Sequence, residues 1–441
     1  MYLHGTSRIN HQGHLEIGGC DTVDLAKEFG TPLYVMDEQF VRDQMRAFLH
    51  AAEQCTFPFQ IAYASKAFST LAMCRLVDEE GLLLDVVSEG ELYTALKADF
   101  PADRIYFHGN NKTAAECSLA IDAKIRAFVV DNFAELTLLQ QLAEKKDQTV
   151  SILLRVAPGV EAHTHAYIQT GQQDSKFGFD LASGQIMDAV KQALQSSRLE
   201  LEGFHCHIGS QIFEVDAFQL TVKKMSQLVH QCQEQFSLQT KVLNIGGGFG
   251  IRYEKSDEPI SIEDYVKGIA SAVQKSFQGK EIPEIWIEPG RKIVGEAGTT
   301  LYTIGSTKEI PGVRNYLSVD GGMTDNLRPA LYDAKYEAMV ANRANEKPNQ
   351  IYTIAGHCCE SGDILIWDCP LPAVKIGDLL AVSCTGAYTY SMSSNYNRFR
   401  RPAVVFVRDG QADLVVERES LDDLIAKDRI PARLKKSTSI Y

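Results

Sequence analysis

Between residues 58 and 290 the chain repeats one pattern: a short, β-branched apolar run followed by an amphipathic stretch of ten to twenty residues. Eight apolar runs read as buried strands: Phe59–Tyr63, Leu83–Val87, Ile105–Phe107, Ile125–Val130, Ser151–Val156, Glu202–His207, Val242–Ile245 and Ile285–Glu288. Thr70–Glu80, Glu91–Ala98, Phe133–Lys145, Gly184–Gln195, Val215–Gln235 and Ile262–Phe277 read as helices between them. Strands buried on both faces, each returned by a helix, demand a parallel sheet. Eight such repeats in about 230 residues have the count and length of an α/β (β/α)8 TIM barrel. An open, doubly wound sheet is the alternative, because pattern alone does not show closure.

After residue 298 the texture changes. Leu301–Ile304, Tyr316–Val319, Ile351–Ile354, Leu379–Cys384 and Ala403–Val407 are short and turn-bounded, and long helices are scarce before Leu421–Ala426. This predicts a second, mostly antiparallel β domain. The strand-like run Leu15–Ile17 precedes the barrel and is expected to join that sheet. The division expected is an N-terminal segment at 1–35 packing with the β domain, a barrel at 36–298 and a β domain at 299–441. Residues 434–441 read as a polar tail.

A net charge of −13 argues against nucleic acid or an anionic membrane as the main partner. No apolar run approaches the ~20 residues that span a bilayer. The start, Met1-Tyr2-Leu3-His4-Gly5, has no basic region followed by an apolar run, so no signal peptide is expected. The ten cysteines show no CxxC spacing, which leaves zinc ribbons and thioredoxin motifs without support. Reduced thiols in the cytoplasm are the expectation.

Chemically useful residues cluster just after the strand candidates, where a barrel builds its catalytic face. Lys66 follows the first strand, Ser88 the second and His108 the third; Arg155 ends the fifth, His207 the sixth and Glu288 the eighth. Burial there would lower the pKa of Lys66 and make its amine nucleophilic, although a strand-end lysine taken alone is usually solvated. Gly246-Gly247-Gly248 could present backbone amides to an anion or serve as a plain turn. A buried Glu288 needs a cationic or protonated partner, and Arg291 can bind phosphate or carboxylate with two hydrogen bonds. His205 and His207 share a strand face, but no third ligand is spaced nearby, so no metal is expected. His207 then suits stacking on a cofactor, and His205 reads as a core histidine. His163 and His165 give a similar cue in a loop running to Lys176. In Cys358-Cys359-Glu360 one thiol could donate a proton and Glu360 could recognise an amine.

Taken together the motifs resemble a known family. They are YASKAF (63–68), DVVSEGE (85–91), HGNNK (108–112), HTHAYIQTGQQDSKFGF (163–179), HCHIGSQ (205–211), GGGFG (246–250), EPGR (288–291), DGGMTDNLRPALY (320–332), CCESGD (358–363) and GAYTYSMSSNYN (386–397). The set resembles the fold-III pyridoxal 5'-phosphate (PLP) decarboxylases, the group of the ornithine and arginine decarboxylases. The 163–179 loop and CCESGD favour its diaminopimelate decarboxylase branch.

The resemblance implies PLP as cofactor, meso-diaminopimelate as substrate, L-lysine and CO2 as products, and a homodimer with shared active sites. It implies that Lys66 carries PLP as a Schiff base, that His207 stacks on the ring and that Glu288 pairs with the ring nitrogen. Ser210, Gly247, Gly248, Gly290 and Arg291 would surround the phosphate, with Arg291 also near substrate. Arg328, Tyr332 and Glu360 would hold the distal end of the substrate, and Tyr388 would touch both cofactor and substrate. Cys359 would be the proton donor, contributed with Glu360 by a partner subunit. Lys292 and His357 depart from the family pattern outside its motifs. Two other readings remain: a sibling decarboxylase for lysine, ornithine or a carrier-bound amino acid, and a catalytically silent PLP-fold protein. Retention of Lys66, Cys359, Glu288 and the glycine run argues against the second.

Overall fold

The computed structural model describes residues 1–160 and 175–435. Eight strands, Phe59–Ala64, Leu83–Val86, Ile105–Phe107, Ala127–Val130, Val150–Ala157, Leu199–Cys206, Val242–Asn244 and Glu284–Ile287, pair in parallel and in sequence order. The first and eighth strands also pair, Phe59 with Ile285 and Ile61 with Ile287. That pairing closes the barrel and eliminates the open sheet. All eight strand runs expected from the sequence are present, with no end shifted by more than three residues.

Local sequence explains how each strand turns into a helix. Thr70, Ser88, Thr113, Asn132 and Ser261 cap the helices Leu71–Glu79, Glu89–Lys97, Ala114–Ala123, Phe133–Lys146 and Ile262–Ser276. In each case the side-chain oxygen accepts from a backbone N–H of the first turn, satisfying a donor that the helix itself cannot. The role of Ser88 is therefore a cap on Glu91 N at 3.2 Å. Three described helices of eight residues or more went unread in the sequence: Thr22–Phe29, Glu38–Glu53 and Ala114–Ala123. Glu38–Glu53 precedes the first barrel strand and packs on Ile262–Ser276. It lies against the first strand and against Arg291–Val294, the helix of the eighth strand, which is only one turn long.

The barrel interior is layered by a period of two along each strand. Ala62, Tyr106, Ala127, Val129, Leu153, Val242 and Trp286 form one apolar cluster, with Leu83 against it. Two residues further along six of those strands stand Asp85, His108, Asp131, Arg155, Asn244 and Glu288, all buried. A dry layer thus closes the floor, and polar groups face the C-terminal mouth.

Gly298–Ile310 is the long strand of the second sheet. It pairs antiparallel with Arg314–Val319, Leu379–Ser383 and Leu33–Asp37. Leu33–Asp37 lies between it and Ala403–Arg408. The N-terminal strand that joins this sheet is therefore Leu33–Asp37. Leu15–Ile17 instead forms a separate three-stranded sheet with Arg8–Ile9 and Cys20–Asp21. Its Leu15 and Ile17 still bury against Leu33, Val35, Ala381 and Val405, so it joins the core but not the hydrogen-bonded sheet. The reason is length: two or three residues fill an apolar gap without extending a ladder. No described helix is long and apolar enough to cross a membrane.

The helix that ends the barrel, Arg291–Val294, meets the second sheet and the loop after Leu379–Ser383 backbone to backbone. A Cβ on Gly386 would sit 1.8 Å from the Val294 carbonyl oxygen, and one on Gly298 would sit 2.2 Å from Gly386 N. Replacement of Gly386 by alanine should therefore destabilise the protein by about 1–3 kcal/mol through overpacking. Calorimetry of Gly386→Ala should show a lower melting temperature, and an unchanged one would contradict this close approach.

Candidate active site

Glu288 stands at the end of the eighth strand, 5% exposed, and four polar groups from three other strands converge on it. Its Oε1 accepts from Asn244 Nδ2 at 2.7 Å and from the Tyr106 hydroxyl at 3.1 Å. His108 Nε2 lies 3.0 Å from the same oxygen, and His205 Nε2 lies 3.2 Å from Oε2. Burial disfavours its charge, but His205 and His108 and the bonds they make outweigh it, and Glu288 stays ionised well below the usual carboxylate range. Burial also pushes His108 and His205 down, Asp85 and Glu288 opposing it only in part. The His108, His205 and Glu288 ligand atoms lie within 4.8 Å of one another. The third group missing from the His205 spacing thus comes from two other strands, which sequence proximity cannot show.

Lys66 sits in the 3-10 turn Ser65–Ala67 that ends the first strand. The Glu91 carboxylate holds this turn, accepting from Ser65 Oγ at 2.8 Å and Val87 N at 2.7 Å. On the far side Tyr388 N donates to Ala67 O at 2.8 Å, so the second sheet also grips the turn. Tyr388 does so in the left-handed region, at φ 59°. The expected depression of the Lys66 pKa is not what the structure shows. Burial does favour the neutral amine, but Asp85, Tyr388 and Glu288 face it and together raise its pKa above that of an ordinary lysine.

Asp85 was not among the residues singled out in the sequence. It is fully buried, and neither of its carboxylate oxygens has a hydrogen-bond partner among the described residues. Burial lifts its pKa to about 6, with His108 and Lys66 opposing. The signal that could have found it is the period-two step from Leu83.

Above this cluster the strand ends form a rim. His207 takes a bond from Gly247 N to its Nδ1 at 3.3 Å, and burial, with Lys66 and Arg155 nearby, holds its ring neutral. Gly246 has φ 74°, and Cβ atoms at Gly246 and Gly247 would strike the carbonyl oxygens of Cys206 and Glu288 at 2.4 and 2.1 Å. These glycines are needed first for strand packing. Arg291 donates to Ser210 Oγ at 2.9 Å and to the Tyr253 hydroxyl at 2.5 Å, and its guanidinium lies 4.7 Å from the Tyr388 ring centre. Arg328 donates to the same Tyr253 oxygen at 2.8 Å and lies over the Tyr332 ring at 5.9 Å. Gly290 packs on Ala64 and Ala67 beside the Lys66 turn. The structure thus brings Lys66, His207, Ser210, Gly247, Gly248, Glu288, Gly290, Arg291, Arg328, Tyr332 and Tyr388 onto one end of the barrel.

Cys359 and Glu360 are the exceptions. Both are solvent-exposed in the turn 356–363. Buried Asp363 holds that turn by accepting from Met323 N at 2.7 Å and Cys358 N at 2.8 Å. Cys359 N donates to Asn397 Oδ1 at 2.8 Å, and Glu360 Oε1 accepts from Gly362 N at 3.2 Å. His357 stacks on Phe399 with centroids 3.6 Å apart. Residues 163 and 165 lie outside the described residues.

The mouth is built for a compact ligand of mixed charge. The buried atoms Asp85 Oδ1 and Oδ2, His205 Nδ1, Arg291 Nε and Arg328 Nε have no hydrogen-bond partner among the described residues. A phosphate beside Ser210 and Arg291, a basic ring nitrogen beside Glu288 and a carbonyl carbon beside Lys66 suit that donor set, and these are the groups of PLP.

The comparisons agree. The family model for the pyridoxal-binding domain of pyridoxal-dependent decarboxylases matches residues 40–295. The fold and site therefore define a barrel-type PLP decarboxylase. The chain is 57% identical to the diaminopimelate decarboxylase of Bacillus subtilis, over 97% of this chain and 98% of that one. It is 50% identical to the Staphylococcus aureus enzyme of the same name, over 96% and 99%. The crystal structure of the M. jannaschii diaminopimelate decarboxylase with L-lysine superposes with a TM-score of 0.91 at 37% identity, covering 98% of this chain and 99% of that one. The chain belongs to the diaminopimelate decarboxylase family.

Because Asp85 is the main charge raising the Lys66 pKa, Asp85→Asn should lower that pKa in the cofactor-free protein. More of the amine is then neutral at a given pH, so the rate of PLP capture should rise at a lower pH than in the wild type. Stopped-flow absorbance across pH measures this; an unchanged or upward-shifted profile would sink the Asp85–Lys66 interaction.

Proposed function

We propose that this chain decarboxylates meso-2,6-diaminopimelate to L-lysine and CO2, the last step of lysine biosynthesis. The observation that carries the substrate choice is the buried pair Arg291 and Arg328, which share the Tyr253 hydroxyl and have no carboxylate partner among the described residues. Buried cations call for an anion. Diaminopimelate brings a carboxylate at its far end, whereas lysine or ornithine would bring only an amine. The pair thus favours diaminopimelate over the sibling substrates.

Bound PLP supplies the sink for the electron pair left at Cα when the bond to CO2 breaks. Lys66 would tether the cofactor through its amine, and His207, held neutral, would stack on its ring. Glu288 keeps the proton on the ring nitrogen, and Tyr106, Asn244 and the two histidines keep that carboxylate charged and aimed. Ser210, Gly247, Gly248, Gly290 and Arg291 hold the phosphate. Arg328, Tyr332 and Arg291 take the distal carboxylate, Glu360 takes the distal ammonium, and Tyr388 contacts both ligands. Cys359 delivers a proton to Cα, and solvent restores its thiol. Its neighbour Cys358 is a poor donor, because burial and Asp363 push its thiol up to about 12.

The exposure of Cys359 and Glu360 in the single chain supports a homodimer in which a partner subunit brings them to this mouth. The ten free cysteines support a reducing, cytoplasmic setting.

Lys66→Ala should lose nearly all lysine release from meso-diaminopimelate, together with the cofactor's visible absorbance; normal turnover would overturn the assignment. Co-expression of Lys66→Ala and Cys359→Ala chains tests the shared site. Random pairing leaves one intact site in each mixed dimer, so about a quarter of wild-type activity should return. No recovery would place Cys359 in the same chain's site or outside the reaction.

A further inference from the structure

Tyr253 follows the glycine run but belongs to none of the motifs that carry the family resemblance. It is 8% exposed. Its hydroxyl oxygen receives Arg291 Nη1 at 2.5 Å and Arg328 Nη1 at 2.8 Å. Both guanidinium groups also lie near its ring, at 5.7 and 5.1 Å from the centroid. Arg291 reaches the mouth from the eighth barrel strand, and Arg328 from the short helix Arg328–Tyr332 that follows the first hairpin of the second sheet. Tyr253 is the hydrogen-bonded link between them.

Two like charges brought this close repel, and burial strengthens the repulsion. No described carboxylate pairs with either arginine. The phenol oxygen has two lone pairs, so it can accept one N–H from each cation without neutralising either. No described residue accepts its own proton, which leaves that proton free to donate. Its frame is held: Asp257 Oδ2 accepts from Tyr253 N at 2.9 Å, and the ring meets Tyr336 edge-on, with centroids 5.3 Å apart.

We propose that Tyr253 is a positioning residue for substrate recognition: its hydroxyl sets the spacing of Arg291 and Arg328 so that both reach one carboxylate at the distal end of the substrate. The proposal rests on the reading of the arginine pair given above. A neutral acceptor serves better here than an acid, because an aspartate would satisfy the guanidinium groups internally and compete with the substrate. The phenol orders the two cations and leaves their charge for the ligand.

The test is Tyr253→Phe in the PLP-loaded enzyme, which keeps the ring and removes the acceptor. Hydrogen bonds to charged groups contribute enough that KM for meso-diaminopimelate should rise about tenfold, with kcat changed by less than about threefold and the cofactor absorbance retained. Calorimetry should show L-lysine binding weakened to a similar degree. Cadaverine, which has no carboxylate, should bind as it does to the wild type. An unchanged KM, or an equal weakening of L-lysine and cadaverine, would overturn the proposal. If the phenylalanine variant does not fold, Tyr253→Gln carries the test. Its amide oxygen should keep KM within about threefold of wild type, and a tenfold rise there counts against a shared-acceptor role. Arg328→Ala separates this claim from the reading beneath it. If that variant also leaves KM unchanged, the arginine pair is not the carboxylate site; if KM rises there but not in Tyr253→Phe, only the role of Tyr253 falls.

Discussion

One buried carboxylate organises this protein. Glu288 lies at the centre of the barrel mouth, where an isolated charge would cost several kcal/mol. The fold supplies Asn244, Tyr106, His108 and His205 around it, drawn from the seventh, third and sixth strands. Those groups can meet only if the sheet closes with its strands in register. The same closure sets the Lys66 turn beside the eighth strand and puts Asp85 opposite the amine. A slip of one residue in any of those strands would turn its polar group outward and its apolar floor residue with it.

The second sheet completes the mouth from above. The Gly298, Gly386 and Val294 backbones touch with no room for a side chain. That contact starts the loop on which Tyr388 reaches back to the Lys66 turn. Arg328 arrives from the same side and meets Arg291 on Tyr253. On the proposed reading, the groups that hold the cofactor belong to the barrel, and the choice of substrate belongs largely to the seam between barrel and sheet.

Much of this was legible in the sequence, for definable reasons. Strands buried on both faces are continuous apolar runs, and all eight runs became strands. The cap residues Thr70, Ser88, Thr113, Asn132 and Ser261 sit where the helices start. The failures are equally physical. Glu38–Glu53 was missed because the strand it follows, Leu33–Asp37, pairs in the second sheet and was not read as a strand. Leu15–Ile17 was assigned to the second sheet because apolar alternation shows burial but not partner. The Lys66 pKa was misjudged because burial was the only influence visible in a linear chain, while the opposing charges come from positions 85, 288 and 388.

By itself the sequence determined the kind of fold and the kind of chemistry: eight apolar strand runs alternating with helical patterns dictate a parallel α/β fold, and polar residues at the strand ends mark its working edge, while closure into a barrel came from the pairing of the first and eighth strands. Lys66, Glu288 and Arg291 are identifiable there because each type is costly to bury without purpose. The tertiary structure alone decided which of them act together. Hydrogen bonds and Coulomb forces act over a few ångströms of space, and nothing in the order of residues puts Asn244 against Glu288, Asp85 against Lys66, or Arg291 and Arg328 on the single oxygen of Tyr253.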